Sequence, residues 1–173
     1  MNLTIFLALN AGSSPSPAAV ALALFFSKYV PYCLMAYCAV AFLFGGKELR
    51  FTLLITLVAA SVAAAVSWLI GHYAYVPRPF VEAVGHALLT HKDNASFPSN
   101  HTMFMVIFAT TFLMDKQRKI GLLFSILALC IGWSRVFLGL HYPADIVGAV
   151  VIGMIVSLLV WMLLRPRTPH SAR

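Results

Sequence analysis

The sequence predicts an all-α fold, an integral membrane helical bundle with about five to six transmembrane helices and a short N-terminal interfacial helix. Three observations predict it. Hydrophobic residues make up 61% of the 173 residues and charged ones only 10%, with a mean hydropathy of +0.90. Several apolar runs reach the roughly 20 residues that a hydrocarbon core requires. Basic residues gather in the short polar breaks between those runs. The chain carries no internal repeat and no low-complexity segment, so residues 1–173 read as a single domain.

The opening stretch, MNLTIFLALNAGSSPSP, has a short apolar run but no Lys or Arg before it. A secretory signal needs that charged region, so the stretch reads as a helix at the membrane surface. The first long run, 17–44, contains Lys28 and Pro31 and is expected to bend. A second run covers 51–70. The segment 71–99 is polar and rich in His and Pro. Three further spans follow at 101–114, 120–138 and 143–164. Cys33, Cys38 and Cys130 lie inside apolar runs without CxxC spacing, which indicates core thiols and neither a zinc site nor a disulfide framework.

The topology follows from the basic residues. Lys47 and Arg50, then Lys116, Arg118 and Lys119, then Arg165, Arg167 and Arg173 account for eight of the twelve Lys and Arg. An odd number of spans puts all three groups on one side, the cytoplasmic one by the positive-inside rule. This also explains the net charge of +7 without nucleic acid as a partner, since no soluble basic run is interleaved with aromatics. The other face then holds His72, Arg78, Glu82, His86, His91, Asp93, His101, Arg135, His141 and Asp145. Ionisable groups beside a bilayer are costly and default to a functional reading. Isolated snorkelling accounts for Lys28 but not for this convergence. Taken singly, His86 and His91 read as solvated loop histidines, and Glu82 as a loop carboxylate pairing with a base. Gly148 and Gly153 read as packing positions.

Three short pieces carry the chemistry. VPRPF holds Arg78. FPSNH holds Ser99, Asn100 and His101. SRVFLGLHYPAD holds Ser134, Arg135, His141 and Asp145. FPSNHT opens a helix that Ser99 is placed to cap, and its first-turn N–H groups suit an anion. HYPAD opens another, with Pro143 near its first position. Asp145 falls four residues after His141, so a shared helical face brings carboxylate and imidazole together. Arg78 and Arg135 present planar forks that match phosphate oxygens.

In this order the three pieces resemble the signature of the type-2 phosphatidic acid phosphatase superfamily: lysine, six residues, RP; PSGH; then SR, five residues, H, three residues, D. The third element matches without exception. Asn100 stands where the second has glycine, and Gly71 stands where the first has lysine. Lys28, Lys92 and His72 are the candidates to replace that cation. RPFVE and ASFPSNHT further resemble bacterial undecaprenyl-diphosphate phosphatases of the bacitracin-resistance type.

The resemblance implies a metal-independent, cofactor-free phosphoryl transfer in two steps. His141 attacks phosphorus, Asp145 orients it, and His101 serves the leaving oxygen and then water. Arg78, Ser99, Asn100 and Arg135 hold the phosphoryl oxygens. The implied partners are a polyprenyl diphosphate lipid and the surrounding membrane lipids, in a bacterial cytoplasmic membrane with the site facing outward. Phosphatidylglycerol phosphate, phosphatidate and diacylglycerol pyrophosphate are alternative substrates. A vanadate-dependent peroxidase and a non-catalytic lipid-phosphate binder are the competing classes.

Overall fold

The computed structural model describes residues 2–165; Arg167 and Arg173 of the basic tail lie outside the described residues. Every regular element among the described residues is helical. Helix α1 (Asn2–Leu9) precedes a long first path made of α2 (Pro17–Leu24), a π-helical turn (Phe25–Tyr29) and α3 (Val30–Phe44). Then come α4 (Lys47–Tyr73), α5 (Asn100–Met114), α6 (Arg118–Phe137) and α7 (Pro143–Leu164). Four paths, Pro17–Phe44, α4, α6 and α7, are long and apolar enough to cross a membrane, and α5 is a shorter apolar helix. The protein is therefore a multi-span membrane bundle.

The expected bend in the first path has a visible cause. Pro31 has no N–H to donate to the carbonyl of Ser27, and its ring would crowd that carbonyl in a regular α-helix. The chain inserts a wider turn, in which the Val30 N–H reaches back to Phe25 O. Such turns recur at functional sites. This one buries the Ser27 side chain, while Lys28 and Tyr29 remain exposed.

Helix α5 is the centre of the bundle. Met103, Met105, Ile107 and Phe112 on it are buried to 2% or less. They pack against α4, α6 and α7. Gly153 permits the close approach of α7: a Cβ there would stand 3.1 Å from Met103 O and from Val106 Cγ1. Gly148 likewise makes room for the Phe97 ring, so both glycines serve packing, as expected. The outer faces of α4, α6 and α7 expose Leu57, Leu122, Leu129, Met154 and Leu163. That is the lipid-facing surface of a bundle whose surroundings are as apolar as its core. Cys33 lies on this outward surface rather than in the core, while Cys38 and Cys130 are half-buried; all three are unpaired thiols.

Each end of the bundle is held differently. At the end formed by the α5–α6 turn and the last turn of α7, Asp115, whose side chain is 1% exposed, accepts hydrogen bonds from Thr52 Oγ1 at 2.5 Å and Trp161 Nε1 at 2.7 Å. Arg165 Nε adds an ion pair at 3.3 Å. At the opposite end α1 packs inward through Phe6, fully buried against Val136, Tyr142 and Ile146. Asn10 then bridges the 74–99 segment to α6, donating to His86 O at 3.0 Å and to Phe137 O at 3.1 Å.

Candidate active site

The α1 end gathers the first turn of α5, the last turn of α6, the start of α7 and the 74–99 segment. Their union is enforced by the backbone as well as by side chains. The Ser99 N–H donates to Asp145 O at 3.2 Å, and the Leu88 N–H to Leu138 O at 3.1 Å. Gly139, at φ +75°, turns the chain after α6 against the carbonyl of His86, where a side chain would collide.

His141 sits in this turn, 2% exposed. Its Nδ1 lies 3.3 Å from Asp145 Oδ2, so the expected sharing of a face holds. Asp145 Oδ2 also accepts the Tyr142 N–H at 2.8 Å and the hydroxyl of Ser96. These contacts orient the ring with an Nδ1–H toward the carboxylate, which turns the Nε2 lone pair the other way. Arg78 Nη1 approaches that Nε2 at 3.0 Å. Burial lowers the pKa of His141 to about 4; the Arg78 and Arg135 charges add to that lowering and Asp145 opposes it. The imidazole is neutral at physiological pH.

The two arginines differ in their satisfaction. Arg78, 4% exposed, is gripped on every nitrogen: Nε by Asn94 O and Oδ1 at 3.0 Å, Nη1 by Leu140 O at 2.9 Å, Nη2 by Ala95 O at 3.2 Å. Arg135, 2% exposed, donates from Nη1 to Ser27 Oγ at 2.7 Å. Its Nε and Nη2 are buried with no partner. An unpaired buried guanidinium nitrogen is expensive, and an anion in the adjoining cleft is the natural remedy.

That cleft, of about 340 Å³, is lined by Ser27, Lys28, Pro31, Tyr32, Leu89, His91, His101 and Arg135. His101 and Pro31 also line a second, apolar groove of about 460 Å³ that runs between α3, α4 and α5 past Leu34, Met35, Phe104 and Phe108. Cys38, Ala60 and Phe108 continue it into a further groove of about 420 Å³. A cationic cleft and an apolar channel thus meet at one histidine.

Ser99 occupies the N-cap position of α5 without a side-chain capping bond. Its hydroxyl faces Thr102 Oγ1 at 3.3 Å instead, so the first-turn amides keep their capacity for an anion. Asn100 projects outward and lines both the apolar groove and a separate cleft beside Gly71, His72 and Trp68. His72 stacks on Trp68, centroids 5.3 Å apart. Ser134 donates to Ile131 O at 2.8 Å and serves its own helix. Glu82 pairs with the Tyr142 hydroxyl at 2.5 Å, not with a base, and His91 lies on the cleft wall rather than in open solvent. Two serines escaped sequence reasoning. Ser96 and Ser27 hold Asp145 and Arg135, respectively, and no local pattern marks either.

The PAP2 superfamily model matches residues 49–169, and the chain belongs to that superfamily. YbjG of Escherichia coli (strain K12) is 36% identical over 155 residues, covering 90% of this chain and 78% of YbjG. Undecaprenyl-diphosphatase BcrC of Bacillus subtilis (strain 168) is 31% identical over 169 residues, covering 96% of this chain and 87% of BcrC. Among solved structures, Aquifex aeolicus LpxE superposes with a TM-score of 0.74 at 22% identity, covering 93% of this chain and 94% of LpxE. The chain is a membrane-embedded PAP2 phosphatase.

Proposed function

We propose that the protein hydrolyses undecaprenyl diphosphate to undecaprenyl phosphate and inorganic phosphate, recycling the carrier lipid of cell-wall synthesis. It acts as one domain in the bacterial cytoplasmic membrane with the site facing outward. The observation that carries the reading is the double role of His101, which lines both the cationic cleft and the apolar groove. A lipid diphosphate laid there has its phosphates among cations and its chain among Leu34, Met35 and Phe104. The name of BcrC supports the same substrate.

In the proposed mechanism the Nε2 lone pair of His141 attacks the terminal phosphorus. The bond from that phosphorus to the bridging oxygen breaks, and the electron pair leaves on that oxygen, which takes a proton from His101. Asp145 balances the charge that develops on the imidazole. In the second step His101 removes a proton from water, the water oxygen attacks the phosphohistidine, and the N–P bond breaks to return His141 and release phosphate. Arg78, Arg135, Ser99 and the first-turn amides near Asn100 hold the equatorial oxygens. Phosphoryl transfer depends on such positioning and charge stabilisation. Arg78 is poised for this, since its contact with Nε2 passes to a phosphoryl oxygen once that nitrogen attacks.

The test is phosphate release from undecaprenyl diphosphate by the purified protein in detergent, beside phosphatidylglycerol phosphate and phosphatidate. The expected result is preference for the polyprenyl substrate and loss of turnover in His141→Ala. Preference for a glycerolipid would overturn the substrate, and full turnover by His141→Ala would overturn the chemistry.

A further inference from the structure

The first path, Pro17–Phe44, lies outside the residues matched by the family model, yet it forms one wall of the cationic cleft. Its π-helical turn brings two consecutive side chains to the site. Ser27 accepts from Arg135 Nη1 at 2.7 Å. Lys28 lines the cleft with His91, His101 and Arg135, and no carboxylate is among the lining residues. A lysine that merely snorkelled would have no reason to share a cleft with a buried arginine whose Nε and Nη2 lack partners.

The chain has Gly71 where the superfamily pattern has lysine, and position 71 opens on a different cleft. Of the three candidates to replace that charge, His72 is stacked on Trp68 in the Gly71 cleft and Lys92 lines none of the clefts described above, whereas Lys28 shares its cleft with His101. The cleft runs from a buried floor at Arg135 to an exposed mouth at Lys28 and Tyr32. Pro31, three residues after Lys28, belongs to both the cleft and the apolar groove. A lipid diphosphate whose terminal phosphate reaches the floor and whose chain enters the groove must pass its inner phosphate across this mouth.

We propose that Lys28 is the specificity-determining cation for diphosphate substrates: it contacts the inner, lipid-linked phosphate and stabilises the negative charge that this group acquires as it leaves. The inference rests on the diphosphate reading above. It assigns to the π-helical turn the charge that position 71 lacks, from a different cleft. A phosphate monoester has no inner phosphate and gains less from Lys28.

The experiment measures kcat/KM of the purified protein for farnesyl diphosphate and farnesyl monophosphate, in wild type, Lys28→Met and Lys28→Arg. The ratio of the two constants is expected to fall at least about tenfold in Lys28→Met, the scale of one charge-assisted hydrogen bond. Lys28→Arg is expected to restore most of it. An equal loss on both substrates, or no change on either, overturns the proposal, because a structural or snorkelling lysine gives those results. The wild-type ratio tests the diphosphate reading separately. A wild type that favours the monophosphate sinks that reading and the proposal together, while a wild type that favours the diphosphate with an unchanged ratio in Lys28→Met sinks the proposal alone.

Discussion

Arg78 Nη1 and His141 Nε2 stand 3.0 Å apart, on the side of the imidazole opposite Asp145. The pairing fixes which ring nitrogen carries the lone pair and places a guanidinium beside it. The nucleophile and the anion ligand of the proposed mechanism are thus delivered to one point by residues 63 apart in the chain.

This arrangement makes a prediction about pH. Burial, aided by the two arginines, lowers the His141 pKa to about 4. As pH falls through that value the ring takes a proton and the nucleophile is lost. The acid limb of kcat/KM attributable to His141 is therefore expected near pH 4, well below the usual histidine range. Arg78→Gln removes one of the charges that hold the pKa down, so the limb of its residual activity is expected to move upward. A pH–rate profile of the two proteins checks the direction of the shift.

Ser96 donates to the same Asp145 oxygen that faces His141. Ser96→Ala removes a contact that fixes the carboxylate and leaves the phosphate ligands in place. We expect kcat to fall about tenfold, the scale of one lost hydrogen bond to a charged group, with KM little changed. Ser96→Thr keeps the hydroxyl and is expected to retain more activity. Steady-state kinetics on the three proteins decides it, and a change confined to KM would refute the assignment.

Asp115 sits at the far end of the bundle and is expected to matter only for stability. Asp115→Ala strips the acceptor from Trp161 and the ion-pair partner from Arg165 Nε, while the Thr52 hydroxyl keeps Glu48 O as an acceptor. Each neutral donor left unsatisfied costs about 1–3 kcal/mol when buried; Arg165, about a quarter exposed, contributes less. A lower Tm in detergent with unchanged kcat per folded molecule is the expected outcome. A selective loss of kcat would mean that the two ends are coupled.

Much of this was legible in the sequence because it is periodic or spaced. The apolar runs marked the spans, and the four-residue step from His141 to Asp145 placed both on one side of a helix start. Pro31 announced the bend, although not that the bend takes the form of a π-helical turn. Ser96 and Ser27 were not legible, since each acts across 49 and 108 residues, respectively, and a lone serine has no spacing to betray it. The capping role expected of Ser99 went to a hydroxyl pair with Thr102. Glu82 met a tyrosine because α1 and the start of α7 press Tyr142 toward it, with Phe6 packed edge-on against the Tyr142 ring at 5.2 Å.

The central claim, that His141 carries the phosphoryl group, is tested most directly by trapping it. In the proposed scheme His101 serves both steps, so the wild-type protein is used and the reaction is stopped within its first turnover, before water attacks. Incubation with undecaprenyl diphosphate, an alkaline quench and peptide mass spectrometry are expected to find a phosphoryl adduct on His141 Nε2. An adduct on any other residue, or full turnover by the protein with His141 replaced by alanine, would contradict the account.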